Sequence, residues 1–410
     1  MRRIGRLLSR SMRKTANAWR QRIARKGHES FVVDVDCLLM GDECGLQANK
    51  VATIFDEPLR PSTRMCDSPH ATLLEKYKQL GESLFDLEVL RQTPYYKNAF
   101  LNIDIFGHYF GAKSEEAIPQ LIRDFVDQWR GKSIERVTQP GQSPLGAPVL
   151  VRPIKHSKMF QLIDGHHRVA SAIASGKSRL PVVSTQEGVL TPIQERLLDV
   201  LWLNGRRELY QPIDLPEVQE EWTLVRRCTD RLAKMLDFLE GQPDTVGGSH
   251  LDLGCSYGWF VWQMSQRGFR SHGVERDPIA ASIGRDVYGL SSDSISRSDV
   301  VRFLRESTSP YDFVSCFSIL HHFHLSDQGT SPDDVLRLLD KVTARCLFFD
   351  MAHCGEKWFR EQLSGWDHDA IEQWLRSNTS FRKVVRLGCD EDAVPPFQDN
   401  YSRMLFACVR

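Results

Sequence analysis

Hydrophobic and polar positions change period several times along this chain of 410 residues, and the changes mark out its elements. FVVDVDCLLM, from Phe31, alternates as a strand does, but the turn residues that follow leave Phe31 to Pro61 without a firm assignment. Apolar residues then recur at helical spacing in HATLLEKYKQLG (His70 to Gly81) and EEAIPQLIRDFVDQWR (Glu115 to Arg130), the second closed by Gly-Lys. The Gly, Pro, Ser and Gln of residues 139–147 predict a loop. From Val149 to Ser184 the pattern runs strand, turn, helix, strand. Two further helices are expected over Thr191 to Leu203 and Glu217 to Leu239, and the ELYQPIDLPE between them, with two prolines, places a domain boundary near Tyr210 to Pro216.

Beyond that boundary short apolar strands alternate with helical patterns: SHLDLGC, FRSHGVE, YDFVSCFSIL and RCLFFDM, then FRKVVRLGC and RMLFACVR. Such alternation calls for a parallel sheet covered on both faces. The last two strands, joined by a polar loop, predict a terminal antiparallel hairpin. The length is too great for one typical core, so two domains are expected.

Composition refines this picture in three ways. No apolar run approaches the roughly 20 residues that span a bilayer. Ten cysteines are scattered without a C-x-x-C pair, and no apolar segment follows the N-terminus, which together predict a cytoplasmic protein with reduced thiols. Ten Arg or Lys and no acid fall between Met1 and Lys26, so a chain of zero formal net charge leaves an excess of ten negative charges on the remaining 384 residues. Within residues 1–30 Ile4, Leu8, Met12, Trp19 and Ile23 share a helical face among arginines. This basic amphipathic tail is either a solvated terminus or a segment that lies peripherally on an anionic inner membrane surface or a polyanion. An acidic main body argues against a long nucleic-acid footprint.

The densest candidate chemistry is LDLGCSYGWF, Leu251 to Phe260. A strand ends near Asp252, a loop of small residues turns at Gly254, Ser256 and Gly258, and a helix begins. Glycines there permit positive φ and close approach of a ligand to free helical N–H groups, where open α/β sheets bind their ligands. Glu275, at the end of the next strand in HGVERD, can accept hydrogen bonds from both hydroxyls of a ribose.

The spacing D-x-G-x-S-x-G departs from the dinucleotide fingerprint and resembles the first motif of class I S-adenosylmethionine-dependent methyltransferases. The resemblance extends over about 195 residues, through Asp299 in RSDVVRFL, the strand and loop YDFVSCFSILHHF, and the terminal hairpin. It implies a Rossmann-like α/β domain over 212–410 that takes S-adenosyl-L-methionine as its cofactor. Asp252, Gly254, Cys255, Ser256 and Gly258 would line the methionine end, Glu275 the ribose, Asp299 the adenine, and Phe317 and Ser318 the far side.

Methyl transfer from a sulfonium depends chiefly on positioning, and a general base helps where the acceptor keeps its proton. His321 and His322, which follow the fourth strand, are the candidate catalytic residues; packing or orienting the loop is their other reading. HHFH with Asp327 and Asp350 lacks ligand spacing on a fixed element, so no metal is expected. FSILHHF stands where methyltransferases acting on DNA amino groups carry D/N-P-P-Y, which favours oxygen methylation of a small molecule or glycan precursor over nucleic acid. Trp358, Trp366 and Trp374 suit either a lid over the acceptor or core packing.

A second turn lies in FQLIDGHHRVASAIASGK. A strand ends at Asp164, Gly165 turns the chain, and His166, His167 and Arg168 open a helix, an arrangement suited to an anion. The segment resembles the central motif of the ParB/sulfiredoxin-like fold, whose G-x-x-R turn binds nucleotide phosphates. The resemblance implies a small α+β domain over 61–184, with 185–211 as a helical connector. It departs from the chromosome-partitioning members, which carry G-E-R-R, and it lacks sulfiredoxin's cysteine, since none stands between Cys66 and Cys228. A structural turn with Arg168 paired to Asp164 is the competing reading. Taken together the chain is expected to be a methyltransferase with an N-terminal nucleotide- or phosphate-binding domain; a bifunctional kinase-methyltransferase and a non-catalytic regulatory binder are the alternatives.

Overall fold

The computed structural model describes residues 30–41, 62–131, 149–184, 187–243, 245–325 and 329–410. The basic tail, the loop at 139–147 and Asp327 lie outside the described residues. The chain divides into two compact units, the first running to Glu195 and taking in Asp214–Glu221, the second made of Arg196–Ile213 and Trp222–Arg410.

In the first unit β1 (Ser30–Asp34), β2 (Leu38–Leu39), β3 (Val149–Pro153), β4 (Phe160–Asp164) and β5 (Arg179–Ser184) form one mixed sheet in the order β1-β5-β3-β4-β2. The ambiguous stretch after Phe31 thus supplies two strands, β1 antiparallel to β5 and β2 parallel to β4. Val33, Leu38, Val151, Leu162 and Val182 join Val169 of the helix His166–Ala174 in one core. A second core packs Leu74, Tyr95, Ile122 and Phe125 of three helices against Ala170.

The predicted helices at His70 and Glu115 stand as Pro69–Leu80 and Ile118–Trp129. The first starts where the Ser68 side chain accepts from Ala71 N–H and Pro69 presets φ. Pro94–Phe106, not foreseen, leaves Phe100 and Leu101 exposed, so its apolar positions form no single stripe.

In the second unit a two-stranded ribbon, β6 (Glu208–Leu209) and β7 (Thr223–Leu224), precedes the main sheet. That sheet holds β8 (Ser249–Leu253), β9 (Arg270–Glu275), β10 (Ile295–Arg297), β11 (Tyr311–Phe317), β12 (Thr343–Asp350), β13 (Lys383–Cys389) and β14 (Met404–Val409). Their order is β10-β9-β8-β11-β12-β14-β13, parallel except for β14, which runs antiparallel to both its neighbours. The expected hairpin is present, with β14 inserted beside β12 and β13 at the edge. The order reverses between β8 and β11, so the crevice at their carboxyl ends is where a ligand of such a sheet binds.

Two expected helices are shorter than their patterns. Pro192–Leu198 ends before Leu203, and the helix expected from Glu217 begins only at Thr229. Val225 and Arg227 are instead tied in extended form, Arg227 N–H donating to Asp392 O at 2.8 Å and Val394 N–H to Val225 O at 3.1 Å. The stretch foreseen as a connector contributes to the second unit from Arg196 onward.

Candidate functional site

The turn after β8 is built from left-handed backbone. Gly254, Ser256 and Gly258 have φ of 61°, 53° and 79°, and Gly258 opens the helix Trp259–Gln266. Side-chain space matters at both glycines as well. A Cβ at Gly254 would fall 2.5 Å from Ile319 Cδ1, and one at Gly258 within 2.9 Å of Ile295 and Leu290 methyls. Cys255 is buried beneath the turn, its N–H donating to Val274 O at 3.0 Å and its sulfur filling the space that a side chain at Gly273 would need.

Glu275 holds this loop from the end of β9. One carboxylate oxygen accepts from Ser256 N–H and the other from Asp277 N–H, both at 2.9 Å. Each oxygen keeps a lone pair for a ribose hydroxyl. Burial raises the Glu275 pKa above the usual carboxylate range, against the pull of these N–H groups. Ser298 N–H donates to Glu275 O at 3.1 Å, which brings Asp299 to the end of the adjacent strand. Asp299 caps the helix Val300–Glu306 through Val301 and Arg302 N–H and lines an open hollow of about 680 Å³ with Arg276 and Ser298.

Asp252 is 3 % exposed on β8. Ser315 Oγ donates to its Oδ1 at 2.5 Å, while Oδ2 has no partner. Ser256 Oγ is likewise buried without a partner. Burial pushes the Asp252 pKa up to about 7, although Ser315 and Arg231 pull it down. Buried polar atoms of native proteins are nearly always satisfied, so an orphan acceptor and an orphan hydroxyl on a left-handed turn mark a place for a polar ligand. An ammonium and a carboxylate, as on the methionine end of S-adenosylmethionine, meet that demand. The residues fit the cofactor that the motif implies.

Phe317 packs 5.1 Å from Phe260, with the Arg231 guanidinium 5.2 Å from its ring. Ser318 is in the left-handed region at φ 62°, and a charged network that the sequence did not reveal holds it there. Its N–H donates to Asp350 Oδ1 at 2.7 Å, and Arg226 Nη1 donates to its Oγ at 2.9 Å. Arg226 also pairs with Asp390 at 2.7 Å, and Arg231 with Asp350 at 3.3 Å and Asp392 at 3.1 Å, all of them nearly solvent-free. The two charge-rich segments, WTLVRRCTDR and GCDEDA, are far apart in sequence, and nothing in either forecasts the pairing.

His321 is buried, its ring 5.1 Å from Phe359 and 4.2 Å from His322. Burial, then Arg403, holds its pKa well below the usual imidazole value, so it is neutral but a weak base. His322 reaches the surface. His324 leans on Trp366 at 4.2 Å and Trp374 at 5.6 Å, and both indoles pack against the main core. His321 and His322 thus lie ring against ring while His324 is taken up by tryptophans, and Asp350 is engaged by arginines.

Gln211, ahead of the motif, is another residue that sequence reasoning missed as a site residue. It is 4 % exposed, its Nε2 donates to Cys255 O at 3.1 Å, and its Oε1 accepts from Trp259 N–H at 3.2 Å. One side chain thus ties both ends of the Ser256–Gly258 turn. The stretch Arg196–Ile213 that carries it is anchored further: Leu201 N–H donates to Asp277 Oδ2 at 2.8 Å, Arg196 pairs with Asp286, and Tyr288 Oη donates to Pro212 O at 2.5 Å.

The second turn, in the first unit, is arranged otherwise. Gly165 has φ 108°, and Arg168 pairs back to Asp164 at 3.1 Å. His166 Nε2 lies 3.1 Å from Gly41 O and His167 Nε2 2.7 Å from Tyr95 Oη. His70 joins them, its ring 5.5 Å and 5.2 Å from theirs. Burial lowers His166 to about 4 and His167 to about 3. Neither imidazole is cationic at neutral pH, so at this turn only Arg168 carries positive charge.

Residues 222–374 match the family described as a methyltransferase domain. The second unit therefore carries a methyltransferase domain. No curated protein sequence matches the chain. Among solved structures the bifunctional kinase-methyltransferase WbdD is similar at 18% identity and TM-score 0.40, over 53% of this chain and 46% of that one. The chain thus spans less than half of that protein's length. Magnesium protoporphyrin IX methyltransferase from Synechocystis PCC 6803, with bound SAM, gives 18% identity and TM-score 0.32 over 44% of this chain and 78% of its own. A SAM-dependent methyltransferase from Archaeoglobus fulgidus gives 14% and 0.33 over 44% and 94%. Among the described residues no helix is long and apolar enough to cross a membrane.

Proposed function

We propose that the second unit transfers a methyl group from S-adenosylmethionine to an oxygen of a small molecule or glycan precursor. The observation that carries this reading is the turn after β8, where Asp252 Oδ2 and Ser256 Oγ are buried without partners among three left-handed residues. Asp252 would receive the ammonium group, the turn from Gly254 to Gly258 the carboxylate, Glu275 the ribose hydroxyls and Asp299 the adenine amino group. The cofactor supplies a methyl group on a sulfonium, already a good leaving group. The chain's part is to orient the acceptor, exclude water through Phe317 and the Ser318 loop, and take up a proton where the acceptor keeps one. His321 and His322 are the candidate bases, and His322 is the more accessible one.

The first unit we read as a ParB/sulfiredoxin-like α+β domain that meets a nucleotide or phosphate group at Gly165. The strand, glycine and helix start of that turn support it; the Arg168–Asp164 pair has to open before Arg168 can meet a phosphate.

Calorimetric titration of S-adenosylmethionine into the full chain tests the first reading. Micromolar binding, followed by release of S-adenosylhomocysteine on addition of hydroxyl-bearing acceptors, is the expected result. Binding without turnover on any acceptor would favour the regulatory alternative, and no binding at all would overturn the cofactor site.

A further inference from the structure

Period-two alternation along β8 sets His250 and Asp252 on one face of the sheet and Leu251 and Leu253 on the other, where the leucines join the main core. The parallel register places Ser271 of β9 beside His250 and Ser315 of β11 beside Asp252, on that same face. Four polar side chains thus form one series across three strands. Ser271 Oγ lies 2.7 Å from His250 Nδ1, His250 Nε2 3.0 Å from Ser315 Oγ, and Ser315 Oγ 2.5 Å from Asp252 Oδ1. His250 and Ser315 are fully buried. Central strands of a parallel sheet are ordinarily apolar runs, so this polar series stands out against its setting.

The protons available give the series a direction. An ionised Asp252 only accepts, so the one hydroxyl proton of Ser315 is committed to Oδ1. Ser315 Oγ then accepts from His250, which puts the imidazole proton on Nε2. Burial holds that ring neutral, with a pKa of about 3, so Nδ1 carries no proton and accepts from the Ser271 hydroxyl. Three donors in sequence point at Asp252 Oδ1, each polarising the next. Oδ2 is left unmet.

Other groups around Asp252 do less to keep it ionised. Burial, with Glu275 of β9, pushes its pKa up to about 7. Ser315 is the strongest opposing pull, ahead of Arg231 from the helix Thr229–Glu240, which is already paired with Asp350 and Asp392. The thiols of Cys255 and Cys316 are pushed up by burial and stay protonated. We infer that His250 and Ser315 are positioning residues for cofactor binding, holding Asp252 as a carboxylate whose free Oδ2 receives the ammonium group. The inference rests on the S-adenosylmethionine reading of this turn.

An ammonium binds the carboxylate form, so affinity falls as pH drops through the pKa of Asp252 in the free protein. Loss of the Ser315 donor moves that fall to higher pH, by about one to two units for a hydrogen bond to a charged group. The experiment is calorimetric titration of S-adenosylhomocysteine into the full chain and into Ser315→Ala, from about pH 6 to about pH 9. The ratio of parent to variant affinity cancels the titration of the ligand's own amine. It should be about tenfold at pH 7 and shrink to about twofold or less by pH 9. His250→Phe, which removes the donor to Ser315, should show the same pH-dependent ratio at smaller size. His250→Gln, which keeps a donor there, should return towards the parent. Methylthioadenosine, which lacks the amino-acid end, should bind the parent and every variant equally, and that equality shows that the variants fold. A ratio that is the same at every pH, or equal affinity throughout, would make the series a packing feature and overturn the inference. If the parent binds neither nucleoside, the cofactor reading itself falls, and the positioning role with it.

Discussion

Two turns in this molecule share an outline: a strand ending at or near aspartate, a glycine of positive φ and a helix that follows at once. They dispose of their polar atoms in opposite ways. At Asp164–Arg168 the arginine returns to the aspartate and the two imidazoles are engaged by Gly41 and Tyr95. At Asp252–Gly258 the aspartate keeps one oxygen unmet in a nearly solvent-free site, and Ser256 keeps its hydroxyl unmet. A glycine turn is a matter of backbone geometry, whereas a demand for ligand is a matter of unsatisfied hydrogen bonds. The turn at Asp252–Gly258 has both.

The largest expected effect breaks the comparison from the side of the open turn. Hydrogen bonds to charged groups contribute about 1.5–3 kcal/mol each, so Asp252→Ala with Glu275→Ala should weaken S-adenosylmethionine binding by at least about 100-fold. Glu275 also holds Ser256 and Asp277 N–H, so part of this loss comes through the loop. Calorimetry on a variant that retains the parent's circular dichroism is the check, and unchanged affinity would remove the turn from the cofactor site.

Next in size is the response of the closed turn to acid. His166 and His167 are held neutral down to about 4 and about 3, whereas unfolded histidines bind protons from about pH 6.5. The unfolded state therefore gains protons first, and stability falls as pH drops below 6.5, by about 2 kcal/mol per histidine at pH 5. His250 in the second unit, pushed by burial to about 3, acts in the same direction. Imidazole NMR resonances assign the effect: those of His166 and His167 should not titrate between pH 7.5 and 5. A normal titration curve for either would show that the closed turn opens to solvent.

How far these sites were legible in the sequence follows from what each depends on. The turn Asp252–Gly258, Glu275 and Asp299 could be read because adjacent strands of a parallel sheet bring their carboxyl ends together, so linear order carries over into space. The terminal hairpin was legible for the same reason. The network of Arg226, Arg231, Asp350, Asp390 and Asp392 was not, because its members meet only after β12 and the segment following β13 have come together. The protonation of His166 and His167 was not legible, because pattern shows residue type, whereas protonation follows burial. The helix foreseen from Glu217 failed at Val225 and Arg227, where pairing with Asp392 and Val394 overrides the local pattern.

Gln211→Ala gives a smaller loss and sharpens the comparison from within the second unit. It deletes two neutral hydrogen bonds, together worth about 1–3 kcal/mol, and leaves Trp259 N–H without its acceptor. Cofactor affinity should fall about tenfold while the fold persists. Gln211→Glu, which retains an acceptor for Trp259, should lose less. Equal losses in both would mean that the bond to Cys255 O matters more than the one to the helix.

The smallest effect is expected at Arg168, where the two readings of the closed turn part. Its pair with Asp164 is an i,i+4 contact between half-buried side chains, 22% and 19% exposed, and such contacts are worth at most about 1 kcal/mol after solvent screening. Arg168→Ala should therefore shift thermal stability by a few degrees and leave S-adenosylmethionine affinity unchanged. ATP titration supplies the deciding measurement. A phosphate that competes with Asp164 for Arg168 must exceed the pairing energy, so binding seen in the parent, strengthened in Asp164→Asn and lost in Arg168→Ala would establish a phosphate site. Absence of ATP binding in the parent and in Asp164→Asn alike would leave Arg168 a partner of its own turn, and the demand for ligand would then rest with Asp252 and Ser256 alone.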